Sequence, residues 1–171
     1  SDMLDTLQNF AEVGVAVMGF SGIVAAVYSR SEQLWTPRER DHLISLLQTS
    51  AMVIAFALIP QVLLPAFGEG RSLWVVANSL YAFVHLMHYL VTARKMKRAI
   101  SRGHSYAIRK RDAYASGIVA SALIVAQVGV VFIGNVDQMH FAYLAILLWH
   151  TFSAAAMFCA LLIRVIPKVK K

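Results

Sequence analysis

Charge is what this chain has least of. Asp, Glu, Lys and Arg make up 15% of its 171 residues, against roughly 25% in an ordinary soluble domain. So few charged side chains cannot solvate the surface of a water-soluble domain of this length. Cysteine is nearly missing as well. Cys159 stands alone, which excludes an intramolecular disulfide and any paired-cysteine metal or haem-attachment motif. The phosphate-cradling patterns GxxxxGK[ST] and GxGxxG are absent, as are the serine nucleophile elbow and the HExxH zinc motif. No Lys lies in the core of an apolar run, so a retinal Schiff base has no anchor, and the spaced arginines of a voltage sensor are missing. These absences leave no residue to assign as catalytic.

What is there is apolar. Hydrophobic residues make up 58% of the chain, and the mean hydropathy is +0.62. Runs of about 18 or more apolar residues are long enough to cross a bilayer as helices. Five such runs are present, over about 7–28, 43–67, 73–93, 113–134 and 139–163. Lipid admits only helices or closed barrels, because every backbone N–H and C=O must be satisfied internally. Barrel strands alternate apolar and polar residues over about ten positions, and these runs are longer and continuous. The expected fold is therefore all-α: a single polytopic bundle of five transmembrane helices. The first run lacks a basic leader and contains Glu12, so it reads as a retained span and not as a cleaved signal.

The basic residues orient the bundle. Counting Lys and Arg from the N-terminus through each connection to the C-terminal tail gives 0, 3, 1, 8, 0 and 4. That alternation puts fifteen of sixteen cations on one side, and basic loops stay in the cytoplasm. The N-terminus is expected outside and the C-terminus in the cytoplasm. Thr36-Pro37-Arg38-Glu39 carries a capping-box pattern, with Thr as N-cap, Pro at N1 and Glu at N3. It predicts that the second helix begins near Pro37. Pro60 and Pro65 predict a kink or an early end further along. The segments 68–71 and 135–138, rich in breaker residues, read as short exterior turns.

Orientation allows depths to be compared. At about 1.5 Å per residue, Glu12, Gln61, Asn78, Gln127 and Tyr143 all fall roughly 7–11 Å below the outer boundary, one from each span. Polar groups avoid lipid and normally face the bundle interior. The third span is the clearest, with Asn78, Tyr81, His85, His88 and Thr92 on one helical face. In the first, Glu12, Gly19 and Ala26 form the expected inner stripe. These groups act either as interhelical hydrogen-bond glue or as the lining of a polar pathway with Glu12 near its mouth.

Beneath that layer His85 and His150 fall at a similar depth, roughly 18–20 Å from the outside, with His88 one turn deeper. No cofactor is expected; the competing reading is a haem held between His85 and His150. His85 and His88 could also join a metal site, although the carboxylate set of a bridged centre is missing, and no metal is expected. The third connection concentrates Arg94, Lys95, Lys97, Arg98, Arg102, Arg109, Lys110 and Arg111. Besides fixing topology, such a cluster attracts anionic lipid at about 1 kcal/mol per basic residue. Nucleic acid is not an expected partner.

The segment 10–24 (FAEVGVAVMGFSGIV), followed by Trp35-Thr36-Pro37-Arg38-Glu39-Arg40, resembles a family of small uncharacterised multi-pass proteins of the bacterial inner membrane. The resemblance covers about the first third of the chain and implies that location. The expected function is a homo-oligomeric channel- or transporter-like protein for an ion or small polar solute. Five spans bury few side chains within one protomer, so association through small-residue faces is expected. The competing expectation is a non-catalytic scaffold or sensor with a basic cytoplasmic face.

Overall fold

A computed structural model describes residues 2–30, 35–101 and 110–169. These form five helices: α1 (Asp2–Arg30), α2 (Pro37–Phe67), α3 (Arg71–Ser101), α4 (Lys110–Ile133) and α5 (Val136–Val169). Each is long and apolar enough to cross a membrane. Most of their surface is turned outward. In the apolar stretch of α4 only 11% of residues are buried, in that of α1 17%, and in each of the other three 28%. Large side chains such as Ile133, Phe141 and Phe132 are at least three-quarters exposed, an apolar surface unusual for a water-soluble monomer.

The sequence explains where α2 starts. Glu39 Oε2 accepts from the Thr36 backbone N–H at 3.0 Å and from the Thr36 hydroxyl at 2.9 Å. The Glu39 N–H in turn donates to Thr36 Oγ1 at 3.3 Å. This is the reciprocal capping box, which satisfies donors that a helix start leaves open. The helix does not stop early at its prolines: it runs through Pro60 and Pro65 to Phe67. It ends where Gly68 takes φ +65° and its N–H returns to Leu64 O at 2.8 Å, a left-handed C-terminal cap that suits glycine. A second capping box opens α5. The Asn135 N–H donates to Gln138 Oε1, and the Gln138 N–H to Asn135 Oδ1, both at 2.9 Å. The helix α3 runs past the expected end of its span to Ser101.

The chain divides into two compact units, Ser1–Leu58 with Leu147–Lys171, and Ile59–Ile146. In the first, Leu46, Ala154 and Leu161 form a buried cluster flanked by Val17, Val24, Trp35, Leu43, Met157 and Phe158. Helix α1 meets α2 at Gly14. A Cβ there would lie 2.8 Å from Ile54 Cγ1, 3.3 Å from Val53 Cγ1 and 3.4 Å from the Ser50 carbonyl, so only hydrogen allows this approach. The buried His42 donates from Nε2 to Met157 O at 2.9 Å, joining α2 to α5.

In the second unit α3 packs along α4, with Gly117 beneath Tyr89; a Cβ on Gly117 would stand 3.0 Å from the phenol oxygen. The buried residues Leu73, Trp74, Ala77, Tyr81, Met139, Tyr143 and Ile146 line the α3 and α5 sides of its core. Aromatic rings meet edge to face through it: Trp74 with Tyr143 at 5.6 Å, Tyr81 with Tyr143 at 5.2 Å. Such pairs contribute about 0.5–1.5 kcal/mol beyond their buried area.

Candidate functional site

Four of the five residues of the expected polar layer belong to the second unit, and three of them form part of its core. Asn78, Gln127 and Tyr143 are all fully buried there. Asn78 donates from Nδ2 to two backbone carbonyls, Trp74 O one turn back at 2.9 Å and Met139 O on α5 at 3.3 Å. An amide held by two acceptors has only one orientation, because the reverse would set oxygen against oxygen. Asn78 Oδ1 therefore points the other way, where it accepts from Gln127 Nε2 at 3.5 Å. That contact orients the second amide too, and Gln127 presents Oε1 as the free end of the chain.

Gln127 Oε1 is buried and has no hydrogen-bond partner among the described residues. A buried acceptor left unmet costs about 1–3 kcal/mol. Near the same end of α5, His140 stacks edge-on against Trp74 with ring centres 4.3 Å apart. Its Nε2 is also buried without a partner among the described residues. Two unmatched polar atoms thus belong to the second unit. Tyr143 joins the core of that unit through its ring contacts with Trp74 and Tyr81.

Gln61 belongs to the same unit and is half-buried. His85 is buried and His88 half-buried on α3. His150 is buried in the first unit, so the two histidines of the haem reading belong to different units. Among the described residues no group of three or more His, Cys, Asp or Glu side chains could hold a metal ion.

Glu12 corrects the inward stripe assigned to α1. It is exposed, as are Gly19 and Ala26. Its carboxylate accepts from Gln8 Nε2 one turn back at 3.2 Å. The face that α1 buries instead carries Leu7, Ala11, Gly14 and Ser21. The reason is steric: Gly14 is the glycine that lets α2 approach, whereas a Cβ on Gly19 or Gly22 would meet nothing within 4 Å.

Of the basic cluster, Arg94, Lys95, Lys97 and Arg98 are exposed along the last turns of α3. Arg102 and Arg109 lie outside the described residues. Lys110 and Arg111 fall in the first turn of α4, their side chains outside the described set.

Sequence reasoning missed Trp74 and His140 as members of the polar core, and Arg71 as a cap. The Arg71 guanidinium donates from Nη1 to Gly134 O and from Nη2 to Val131 O at 3.2 Å, closing the carbonyl end of α4 in keeping with the helix dipole. A lone cation in an otherwise uncharged turn was the available signal. No protein-family model, curated protein or solved structure matches the chain.

Proposed function

We propose that this is a multi-pass protein of the bacterial inner membrane, with its N-terminus outside, acting as a small transporter- or channel-like protein. Its solute site is the carboxamide pair Asn78–Gln127. The observation that carries this reading is the buried, unmatched Gln127 Oε1, whose direction is fixed by the two carbonyls that hold Asn78. An acceptor fixed in a low-dielectric core favours a cation or the O–H or N–H of a small neutral solute, and disfavours an anion. The site is neutral, so a solute entering it is held by dipoles rather than by an ion pair, and it can leave again.

The alternation of basic loops and the exposed apolar helix faces support insertion with this orientation. Glu12, facing out of α1 with open space at Gly19 and Gly22, is then better placed toward a second copy than toward lipid, where a carboxyl is costly. That placement supports a homo-oligomer. Flux of monovalent cations and of small polyols into proteoliposomes tests the reading. Gln127→Leu abolishes flux while the protein still inserts; flux equal to wild type for every solute removes the site.

A second reading has its own observation. Four exposed cations continue along α3 past its apolar stretch, a surface suited to anionic lipid or an acidic partner. Retained flux in a variant with those four residues neutralised separates that role from transport.

A further inference from the structure

We propose that the groove between α4 and α5 is a binding site for one phospholipid with a zwitterionic amine headgroup. It takes an acyl chain in the groove and the headgroup at its turn. The inference rests on the membrane-spanning part of the reading above and is independent of the Asn78–Gln127 site.

The groove has a volume of about 630 Å³, inside the ~300–1,000 Å³ of ordinary ligand sites. Small residues are among its lining: Ala126 and Gly129 on α4, Ala142 and Ala145 on α5. A Cβ on Gly129 would meet nothing within 4 Å, so no side chain of this protein claims that space. Leu123 and Phe141 are among its walls. An apolar groove lined by small side chains suits a hydrocarbon chain, held there by van der Waals packing.

One end of the groove is polar. Asn135, Asp137 and Gln138 line it. Asn135 and Gln138 are occupied with each other in the capping box that starts α5, which leaves the exposed Asp137 carboxylate as the group able to take an ammonium. Gly134 lines the same end, and its carbonyl is where Arg71 anchors its guanidinium. Asp137 thus lines the groove, and the Arg71 guanidinium is bound to the carbonyl of Gly134, another of its lining residues. A phosphate for Arg71 and an amine for Asp137 are the two charges of a phosphatidylethanolamine headgroup. A singly anionic headgroup such as phosphatidylglycerol would satisfy the Arg and oppose the Asp.

The test uses the full chain purified in mild detergent and titrated with phosphatidylethanolamine or phosphatidylglycerol, bound lipid being counted by native mass spectrometry. The wild type binds the ethanolamine lipid about tenfold more tightly, a margin reachable with one added charge contact. Gly129→Leu puts a side chain into the open space of the groove and lowers that affinity about tenfold with an unchanged melting temperature, because it occupies the place of the acyl chain. Asp137→Asn removes the headgroup preference and leaves chain binding. Equal affinity for the two lipids in the wild type overturns the proposal, as does a Gly129→Leu variant that binds normally. Efficient disulfide cross-linking of two copies through Ala126→Cys also overturns it, because a second copy then fills the groove. A chain recovered soluble, without detergent, would fail the membrane reading itself. A chain that inserts and conducts but shows no lipid preference fails this inference alone.

Discussion

Gln127 donates from Nε2 to Asn78 Oδ1 across a long 3.5 Å contact, and that contact ties the direction of one buried amide to the other. Asn78 is the fixed member, held by Trp74 O and Met139 O. Replacing it releases all three bonds at once. Asn78→Leu leaves the Gln127 amide without its partner and takes a second donor from two carbonyls that keep their helical N–H, and it lowers stability in detergent by about 1–3 kcal/mol. Gln127→Leu loses only the long contact, near the ~0.6 kcal/mol average of interhelical hydrogen bonds in membranes, and also removes the unmet Oε1, so it costs less. Thermal unfolding of both variants checks the order. Equal losses would mean that Asn78 does not anchor the pair.

The approach of α1 to α2 gives a paired prediction. Gly14→Val drives a methyl group into Ile54, Val53 and the Ser50 carbonyl. It lowers stability by about 1–3 kcal/mol, the usual cost of overpacking. Gly19→Val points into open space and leaves the melting temperature of the detergent-solubilised protomer nearly unchanged. If Gly19→Val instead breaks an oligomer seen by cross-linking, the outward face of α1 is where a second copy docks.

Both capping boxes should be measurable. Thr36→Ala removes a hydroxyl that both donates to and accepts from Glu39, and Asn135→Ala removes the acceptor for the Gln138 N–H. Each costs about 1 kcal/mol. Hydrogen exchange at the first turn of α2 and of α5 reports the loss locally; exchange rates unchanged in both variants would contradict the assigned caps.

At the end of α2, Gly68→Ala places a side chain at φ +65°. Left-handed backbone costs a non-glycine residue roughly 1–2 kcal/mol, so the variant melts earlier by that margin. Gly70→Ala, which has neither a positive φ nor a neighbour within 4 Å, serves as the unaffected control.

The helices were legible because lipid-length apolar runs leave few alternatives, and the Thr36–Glu39 box was legible because Thr, Pro and Glu all point to one helix start. The equivalent box at Asn135–Gln138 was hidden by its composition: Asn, Asp and Gln in a short connection read as turn residues, although the N-x-x-Q spacing was present. The prolines of α2 misled in part. A missing N–H weakens a helix without having to end it, and Gly68 supplied the real stop. Depth alone put Asn78, Gln127 and Tyr143 at one level, and all three belong to the core of the second unit. The buried face of α1 is not the one its polar residue marks, since Glu12 turns outward. Steric fit at Gly14 sets that face, and no periodicity of polar residues could reveal it. The orientation of the two amides was invisible in sequence, since it depends on which backbone carbonyls face Asn78.

The most direct measurement of the central claim is ion selectivity in proteoliposomes, with cation and anion tracers followed in parallel through the wild type, Gln127→Leu and Gln127→Glu. A site built on one fixed acceptor predicts cation uptake without chloride uptake in the wild type. It predicts loss of cation uptake in Gln127→Leu, and retention or gain in Gln127→Glu, which keeps an oxygen at the Oε1 position. Chloride uptake equal to cation uptake, or cation flux untouched by Gln127→Leu, would contradict it.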